Sequence, residues 1–334
     1  MTLNVGINGF GRIGRNVLRA LLESGRDDIR VVAINDLAPL ETNAHLLEFD
    51  SVHGRLRAPI TLGENTLDVG TGPIRVSAER SPDKLAWDDV DVALECTGIF
   101  RSTDAAELYL KAGASKVLMS APSKSEGVKT IVFGVNDDIL ADGDRIASNG
   151  SCTTNCLAPV AKVLDDNFGI LRGTMTTVHA YTGGQPTHDR ANSDLARGRA
   201  AAMSMVPTST GAAKAIGLVM PHLAGKLYGT SIRVPTPNVS CVDLTVEVKT
   251  ATTIDAVNAA FSAAANGPMD RILAVESRPL VSVDFNHDPH SSTVALDGTH
   301  VQDGTMIRVM AWYDNEWGFS NRMLDTAAKL GRCL

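Results

Sequence analysis

The stretch from Leu3 to Asn16, LNVGINGFGRIGRN, decides how the first half of this chain folds. It begins as a short apolar strand, passes through Gly9, Gly11 and Gly14 in a Gly-x-Gly-x-x-Gly pattern, and continues with helical periodicity. A strand–turn–helix unit needs glycine there for a tight turn, for close approach of the backbone to a pyrophosphate, and for packing of the helix on the strand. The N–H groups at the helix start then face the phosphates.

A carboxylate downstream of the glycines strengthens the prediction of a dinucleotide site. The motif alone is weak, because a glycine-rich turn in an ordinary βα unit has the same local pattern. The second strand, Ile29 to Asn35, ends at Asp36, which follows Gly14 by 22 positions, close to the ~20 typical of the ribose-binding acid. A carboxylate accepts hydrogen bonds from ribose hydroxyls and repels a 2′-phosphate, so Asp36 favours NAD over NADP.

Three more apolar strands with small or turn residues after them predict a doubly wound α/β sheet of the Rossmann type: Val90 to Glu95, Lys116 to Ser120 and Thr130 to Val135. The carboxyl ends of such strands line the ligand crevice. Arg80, Thr97 and Ser120 are therefore candidate cofactor neighbours. An exposed loop residue with no such role is an equally good interpretation of Arg80.

Length, charge and cysteine usage limit the remaining possibilities. A chain of 334 residues exceeds the size at which one core usually stops growing, which predicts two domains. The net charge of −7 argues against nucleic acid or an anionic membrane as a partner, so an anionic substrate requires a local arginine cluster.

Five cysteines without paired spacing indicate thiols in a reducing compartment. The N-terminal residues lack a basic signal segment, and we expect a cytoplasmic protein.

The second half of the chain predicts an α+β domain with a largely antiparallel sheet. Between Val239 and Lys249 apolar and polar residues alternate, as on a sheet with one buried face. A helix is predicted for Ile254 to Asn266 and a last one for about Ser320 to Lys329. The other predicted strands are Gly173 to His179, Gly229 to Pro235, Leu280 to Phe285 and Met306 to Asp314.

These patterns give a division of the chain. Residues 1–150 are the predicted NAD-binding domain, which a C-terminal helix at about 316–334 joins, and residues 151–315 are the predicted catalytic domain. The connection from Tyr181 to Pro207 is long, polar and rich in arginine, and loops of that length are usually functional.

The segment Ser148 to Cys156, SNGSCTTNC, contains the candidate nucleophile, Cys152. A thiol with its ordinary pKa of ~8.5 is mostly protonated at neutral pH. A helix beginning near Ser151 and an imidazolium partner would both lower that pKa. His179 is the preferred partner because it ends a strand. Inert packing is the alternative for a single cysteine, and a zinc site of Cys152, Cys156 and His179 lacks a ligand spacing, so no metal is predicted.

Six stretches, from Gly6 to Arg322, closely resemble the phosphorylating glyceraldehyde-3-phosphate dehydrogenases. They are GINGFGRIGR, SCTTNCLAP, TTVHAYT, PTSTGAAKA, RVPTPN and WYDNEWGFSNR, and they extend the resemblance over essentially the whole chain.

The resemblance implies a mechanism and a set of site residues. Cys152 attacks the aldehyde, the hemithioacetal loses hydride to NAD, and inorganic phosphate cleaves the resulting thioester, with His179 as the base. Ser151 flanks the sulfur. One phosphate position is implied at Thr153, Thr210 and Gly211, and a second at Thr182, Arg197 and Arg233.

The resemblance also implies how the cofactor and the subunits are held. Asn315 is expected to bind the nicotinamide amide, and the family implies a homotetramer in which Tyr181 to Pro207 lies against a neighbour's cofactor. The remaining implied cofactor contacts are Arg12, Ile13, Asp36, Arg80 and Ser120.

Departures from the family pattern leave some questions open. Gly150 and Ala196 stand where the family often has Ala and Arg, and Gly198 stands where Ala is usual. Arg190-Ala191 replaces the Leu-Pro pair of NAD-preferring members, so use of NADP is not excluded.

Two other functions remain as alternatives. Erythrose-4-phosphate dehydrogenase has a stretch similar to PLVSVDFNHDPHS, although AYT and TSTGAAKA favour the glyceraldehyde enzyme. A non-catalytic dinucleotide-binding protein is disfavoured by the complete set of Cys152, His179 and the arginines.

Overall fold

The chain divides at Ser151 and again at Ser320 in a computed structural model that describes residues 2–333. The first unit takes in the chain up to Ser151 and again from Ser320 onward, and the second unit is Cys152–Phe319. None of the helices within residues 2–333 combines the length and the apolar character that crossing a bilayer requires.

The first unit is built on a nine-stranded sheet with helices between its strands, and β3 and β4 form a separate two-stranded sheet. The strands are β1 (Leu3–Asn8), β2 (Ile29–Asn35), β3 (Phe49–Asp50), β4 (Gly54–Arg55), β5 (Thr61–Leu62), β6 (Thr66–Asp68), β7 (Pro73–Ser77), β8 (Val92–Glu95), β9 (Lys116–Met119), β10 (Lys129–Thr130) and β11 (Ile146–Ser148). The helices are α1 (Arg12–Ser24), α2 (Leu40–Glu48) and α3 (Thr103–Lys111), with 3-10 helices at Pro82–Lys84 and Asp137–Ile139.

The order of the strands confirms the predicted doubly wound sheet. They run β10-β11-β9-β8-β1-β2-β7-β6-β5, and every pair from β10 to β7 is parallel, whereas β6 and β5 add an antiparallel edge. The chain leaves β1 toward β2 on one side and later returns to β8 on the other. Ligands bind at such a switch point, and the glycine turn follows β1 there.

Helix α1 begins at Arg12, directly after the glycine turn, and ends at Gly25. Eight successive residues of this helix, from Gly14 to Leu21, are buried, so its polar side is covered as well as the apolar side that carries Val17, Leu18 and Leu21. Gly25 has a φ of 65°, the left-handed conformation that closes many helices.

One predicted strand of this unit is largely wrong. Of Thr130 to Val135, only Thr130 lies in a strand. The side chain of Asn136 donates to the Thr130 carbonyl (2.9 Å) and accepts from the Val132 N–H (2.8 Å). A local side chain thus takes the place of a neighbouring strand, although Ile131 and Val132 are buried as a strand pattern requires.

The second unit packs helices on a mixed sheet. Its helices are α4 (Cys152–Phe168), α5 (Ala212–Val219) and α6 (Ile254–Ala265), with 3-10 helices at Pro221–Leu223 and Ser282–Phe285. Its strands are β12 (Ile170–Ala180), β13 (Val206–Ser209), β14 (Leu227–Val234), β15 (Ser240–Val248), β16 (Leu273–Glu276), β17 (Ser292–Gln302) and β18 (Met306–Tyr313). The last helix, α7 (Trp317–Arg332), runs across the division at Ser320.

The strand order in this sheet is β13-β14-β12-β15-β18-β17-β16. Four of its neighbouring pairs are antiparallel, whereas β12 with β14 and β16 with β17 are parallel. The parallel pairing sets His179 of β12 opposite Arg233 of β14 in register. Residues at matched register positions direct their side chains to the same face.

The strand predicted before β17, from Leu280 to Phe285, is wrong. Leu280 to Phe285 was expected to be a strand, but Ser282–Phe285 is a 3-10 helix. The Asp284 carboxylate accepts from the Val281 N–H at 2.8 Å and so stabilises a tight turn that apolar alternation does not reveal. Strands β13, β16 and β17 were not predicted, because their polar and small residues interrupt the period-2 pattern.

Candidate active site

Cys152 is the first residue of α4, and its side chain is only partly buried. From Thr153 onward the first turns of the helix are almost entirely buried, and the helix continues through Pro159. Cys156 lies one turn later, is completely buried and donates toward the Ser292 hydroxyl at 3.5 Å. The two cysteines of one helix thus have different environments, and Cys152 is the accessible one.

His179 and Arg233 lie beside Cys152. The Cys152 Sγ is 3.5 Å from His179 Nε2. The other ring nitrogen, Nδ1, is 2.7 Å from the Ala180 carbonyl oxygen and 2.7 Å from Arg233 Nη1. The parallel register of β12 and β14 positions the side chains of His179 and Arg233 next to each other. The sulfur comes from the first residue of α4.

Tyr313, which the sequence reasoning missed, joins the elements of this site. Its hydroxyl lies 2.9 Å from the hydroxyls of both Thr153 and Thr177, and its ring meets the His179 ring edge-on with centroids 5.9 Å apart. It therefore connects the start of α4 to β12 and limits the movement of the imidazole. The only available signal was its position in the WYDNE stretch.

The electrostatics of the pair differ from one expectation. Burial raises the pKa of the Cys152 thiol, although the Arg233 charge and hydrogen bonds from Thr153 oppose the rise. Burial, together with the charges of Arg233 and Arg197, lowers the pKa of His179 to about 3. Both shifts favour a neutral imidazole beside a thiol, whereas the sequence predicts an imidazolium that lowers the thiol pKa, and the imidazolium stays a prediction.

The predicted phosphate residues are only partly gathered around the pair. The positive charge of Arg197 lies close enough to lower the pKa of both His179 and Arg233, and its Nε is 3.9 Å from Asp194. Within residues 2–333 no side-chain hydrogen bond or ion pair joins the pair to the remaining three predicted residues. These are Thr182, which is exposed, Thr210, whose hydroxyl accepts from the Ala212 N–H at 3.2 Å, and Gly211, the exposed residue before α5.

Two further residues predicted to bind phosphate, Thr153 and Ser151, adjoin Cys152 in the chain. The Thr153 hydroxyl lies 2.9 Å from the Tyr313 hydroxyl, and both the hydroxyl and the backbone N–H of Thr153 also bond to the Cys152 sulfur. Ser151 is half-buried and directly precedes α4.

Asn315 is held by Ser240 of β15, which bonds in turn to the strand that carries His179. Its buried amide oxygen accepts from the Ser240 hydroxyl at 2.8 Å, and that hydroxyl accepts from the Ala180 N–H at 3.0 Å. The amide is therefore oriented by the backbone next to the catalytic candidate. Sequence reasoning identified Asn315 but not Ser240.

In the first unit the glycine turn and Asp36 form one local structure. The Asp36 carboxylate accepts from the N–H of Phe10 (2.7 Å) and of Ala38 (2.9 Å). Gly9 has a φ of 88°, and a Cβ on Gly14 would lie 2.1 Å from the Gly9 carbonyl oxygen. A Cβ on Gly11, in contrast, would meet nothing within 4 Å.

This arrangement fits a dinucleotide. The open face at Gly11 allows a pyrophosphate to approach the N terminus of α1 closely, and the fixed carboxylate of Asp36 is available to ribose hydroxyls. The residues present therefore match what an NAD site requires of them.

The remaining cofactor candidates lie around the same sheet edge. Arg12 pairs with the Asp50 carboxylate. Burial tends to raise the pKa of Asp50, but the His53 N–H, Arg12 and the Val52 N–H hold it at about 2. The other candidates are Ile13, which is half-buried, Arg80, which is exposed, Thr97, whose hydroxyl donates to Glu95, and Ser120, whose N–H donates to the Glu95 carbonyl at 2.9 Å.

The part of the chain that the structure describes contains no cluster of side chains suited to binding a metal ion. Residues 2–333 contain no group of three or more His, Cys, Asp or Glu side chains placed to hold an ion.

Two family models match the chain. The model for the NAD binding domain of glyceraldehyde 3-phosphate dehydrogenase matches residues 3–103, and the model for the C-terminal domain of the same enzyme matches residues 151–315.

Curated relatives match over their full length. Glyceraldehyde-3-phosphate dehydrogenase of Cereibacter sphaeroides is 61% identical over 334 residues, which is 100% of both chains. The enzyme of that name from Xanthobacter flavus is 60% identical over 99% of both chains, and the one from Geobacillus stearothermophilus is 54% identical over 98% of both.

Proposed function

Because the chain belongs to the glyceraldehyde-3-phosphate dehydrogenase family, we propose that it catalyses the phosphorylating oxidation of D-glyceraldehyde 3-phosphate to 1,3-bisphosphoglycerate. The observation that carries the proposal is the contact of the Cys152 sulfur with His179 Nε2, 3.5 Å apart, with the Arg233 guanidinium on the opposite side of the imidazole. The reaction is reversible and belongs to central carbon metabolism.

In the first half-reaction Cys152 acts as a nucleophile. His179 Nε2 takes the S–H proton, and the sulfur electron pair attacks the aldehyde carbon to form a hemithioacetal. The cofactor of this family, NAD, supplies the hydride acceptor when bound. Loss of hydride from the former aldehyde carbon leaves a thioester on Cys152, and His179 stabilises the oxygen as charge develops on it.

In the second half-reaction inorganic phosphate attacks the thioester carbon, the C–S bond breaks, and the acyl phosphate leaves. The covalent step matters because the oxidised acyl group stays activated on sulfur until phosphate arrives. The sulfur regains its proton from His179, which restores the starting state.

Two arginines support recognition of phosphate. Arg233 and Arg197 place two permanent positive charges near His179, in a chain whose net charge is −7. A guanidinium binds phosphate through two parallel donors and stays charged at every physiological pH. The role of Thr182, Thr210, Gly211 and Ser151 in phosphate binding is part of the same proposal.

We further propose a cytoplasmic homotetramer in which Tyr181 to Pro207 meets a neighbouring subunit. The segment carries large exposed apolar side chains, namely Leu195, Met203 and Met205, which are 85%, 85% and 74% exposed. Exposed apolar side chains within one segment are what an interface with a neighbouring subunit would cover. Size-exclusion chromatography with light scattering measures the assembly directly, and a monomer at assay concentration contradicts it.

A kinetic matrix tests the function. Initial rates of NAD reduction are measured with D-glyceraldehyde 3-phosphate and with erythrose 4-phosphate, each with and without inorganic phosphate. We expect the triose to be preferred and its steady-state oxidation to depend strongly on phosphate. A preference for erythrose 4-phosphate with rates indifferent to phosphate supports the sister dehydrogenase, and cofactor binding with no aldehyde oxidation supports the non-catalytic alternative.

A further inference from the structure

The hydroxyl of Ser240 connects the end of β12 to the side-chain amide of Asn315. The serine is buried, and two contacts involve its oxygen. The N–H of Ala180, the last residue of β12, donates to it at 3.0 Å, and it lies 2.8 Å from Asn315 Oδ1. Strand register sets this arrangement, because Ser240 of β15 pairs with Tyr313 of β18, two positions before Asn315.

The number of protons fixes the direction of both hydrogen bonds. A backbone N–H only donates, so the Ser240 oxygen is the acceptor toward Ala180. The hydroxyl has one proton of its own, and within residues 2–333 the Asn315 amide is the other group in contact with it. If that amide were turned over, Nδ2 and the Ala180 N–H would both donate to the serine oxygen. The buried O–H would then lack an acceptor, which costs free energy.

The outer end of the Asn315 amide is therefore a donor. No group within the described residues, 2–333, accepts a hydrogen bond from Nδ2, and this atom keeps some exposure although the residue as a whole is buried. The backbone beside the amide is also held, since the Asp314 carboxylate accepts from the N–H groups of Glu316 and Trp317 at 2.9 Å and 2.8 Å. The amide is thus fixed in both position and polarity.

We propose that Ser240 is a positioning residue that sets the polarity of the cofactor contact. It holds Asn315 with Nδ2 outward, so that the chain recognises the carbonyl oxygen of a nicotinamide carboxamide and not its amino group. The inference rests on the proposed function in one respect, namely that Asn315 binds the nicotinamide. The two ends of a carboxamide have nearly the same size, so shape alone does not distinguish them. A fixed donor does, because the amino group would set two donors against each other.

The polarity does not depend on a titrating group. The Ala180 N–H, the Ser240 hydroxyl and the Asn315 amide donate in one direction from the backbone of β12 to the ligand. None of these groups gains or loses a proton between about pH 5 and pH 9. We therefore expect the same preference for the carbonyl oxygen throughout this range.

Three dinucleotides test the polarity. NAD has both ends of the carboxamide. In 3-acetylpyridine adenine dinucleotide the carbonyl oxygen remains and a methyl group replaces the amino group, whereas in thionicotinamide adenine dinucleotide the amino group remains and sulfur, a weak acceptor, replaces the oxygen. Calorimetric titration measures the dissociation constant of each ligand for the unsubstituted protein and for Ser240→Ala. The loss that the substitution causes is compared between ligands, which cancels their other differences.

We expect Ser240→Ala to weaken NAD and the acetylpyridine analogue equally, by about fivefold, and the thionicotinamide analogue by less than about twofold. Losses confined to the two ligands that carry an amino group mean that Asn315 presents Oδ1, and they overturn the inference while the cofactor site stands. Equal losses for all three ligands, or none, also overturn it, because Ser240 then has no effect on polarity. If the unsubstituted protein binds none of the three, the proposed cofactor site and the inference fail together.

Asn315→Ala tests the polarity without relying on the folding of Ser240→Ala. It removes the donor itself, so the same ligand pattern should appear with larger losses, about tenfold for NAD. In this background a second substitution, Ser240→Ala, should weaken NAD no further, because the serine acts through the amide. A further fivefold loss in the double variant contradicts a positioning role.

Ser231→Ala is the matched control. This serine of the neighbouring strand β14 is buried, and its hydroxyl bonds to no group within residues 2–333. We expect the control to bind all three dinucleotides as the unsubstituted protein does, with melting temperatures confirming that every variant is folded. A loss in the control that spares the thionicotinamide analogue means that any cavity in this sheet has the same effect, and the proposal is then wrong.

Discussion

The glycine turn of the first unit and the Cys152–His179 pair of the second are built in different ways. The turn is made by backbone within a short stretch of chain. Asp36, which directly follows the next strand, β2, accepts a hydrogen bond from the N–H of Phe10 in that turn. The pair needs side chains from α4, β12 and β14, and its partners are separated by 27 and 54 positions in the chain. Local sequence therefore specifies the first site, whereas strand register specifies the second.

The difference also concerns what each site tolerates. In the glycine turn the absence of a side chain is the functional property, so the addition of one methyl group changes the site. Around Cys152 we expect the identity of the polar side chains to matter, because the proposed mechanism needs groups that take up, donate or orient protons. Substitutions that separate these two requirements test the comparison.

The largest effect is expected from Cys152→Ser. A serine hydroxyl is a far weaker nucleophile than a thiol at neutral pH, and the turnover number should fall by at least about 10³-fold. Cys156→Ser is the matched control one helical turn away, since that thiol lies in the core against Ser292. Steady-state assays of both proteins measure the contrast. Comparable losses in the two variants, with unchanged melting temperatures, contradict the assignment of Cys152.

A pair of glycine substitutions separates folding from binding in the first unit. In Gly14→Ala the new Cβ lies 2.1 Å from the Gly9 carbonyl oxygen, so both the melting temperature and NAD affinity should fall. In Gly11→Ala the Cβ meets no protein atom within 4 Å. We expect a nearly unchanged melting temperature but NAD affinity about tenfold weaker or worse, because the methyl group occupies the pyrophosphate approach.

Calorimetric melting and NAD titration check both variants. Full NAD affinity in Gly11→Ala would show that the pyrophosphate does not approach this residue, and the assignment of the glycine turn would fail.

Acid pH should destabilise the two regions in different windows. The folded pKa of His179 is about 3, against an ordinary value of 6.5. Between these values the unfolded chain binds more protons than the folded one, so stability is fully present above pH 6.5 and is lost as the pH falls toward 3. The loss should be on the order of 2 kcal/mol between pH 6.5 and 5. Asp50, with a pKa of about 2 against 3.8, contributes a loss only below pH 3.8.

Urea unfolding of the original protein and of His179→Asn, compared from pH 7 to pH 5, measures the first window. We expect the variant to lose less stability over this range. Parallel curves for the two proteins contradict a neutral buried imidazole, since asparagine does not titrate.

The smallest effect is expected at Arg190. Its side chain is exposed, and exposed charges contribute less than about 1 kcal/mol, so Arg190→Ala should reduce kcat/KM for NADP about threefold and leave that for NAD unchanged. Arg199→Ala is the control, because Arg199 is an exposed neighbour paired with Asp189 at 2.8 Å. Equal NADP efficiency before and after the Arg190 substitution means that this residue does not bear on cofactor choice.

Several errors in the sequence predictions have one cause. Thr130 to Val135 and Leu280 to Phe285 were predicted as strands, and in both cases a nearby polar side chain, Asn136 or Asp284, satisfies the backbone instead. The pattern of apolar residues predicts which positions are buried. It does not predict which group forms a hydrogen bond with each backbone N–H and carbonyl. Strand β17 was missed for another reason, the polar and small residues that interrupt its pattern, although it pairs with a strand on each side.

The candidate site was predictable in its residues but not in its electrostatics. Motifs identified Cys152, His179, Arg233 and Asn315, yet they could not show that Tyr313 and Ser240 hold them in place. They also predict an imidazolium beside the sulfur. Burial and the Arg233 guanidinium beside Nδ1 instead favour a neutral ring, and both depend on packing.

The sequence by itself determined the family, the doubly wound sheet and the dinucleotide turn, and it predicts Cys152 as the nucleophile, because each depends on residues that are close in the chain or on a specific motif. The tertiary structure alone decided the surroundings of Cys152 and His179. These surroundings depend on β12 lying parallel to β14, which sets Arg233 against His179, and on the burial that disfavours charge on the ring. Register and desolvation are properties of the assembled fold, and no local pattern of residues specifies them.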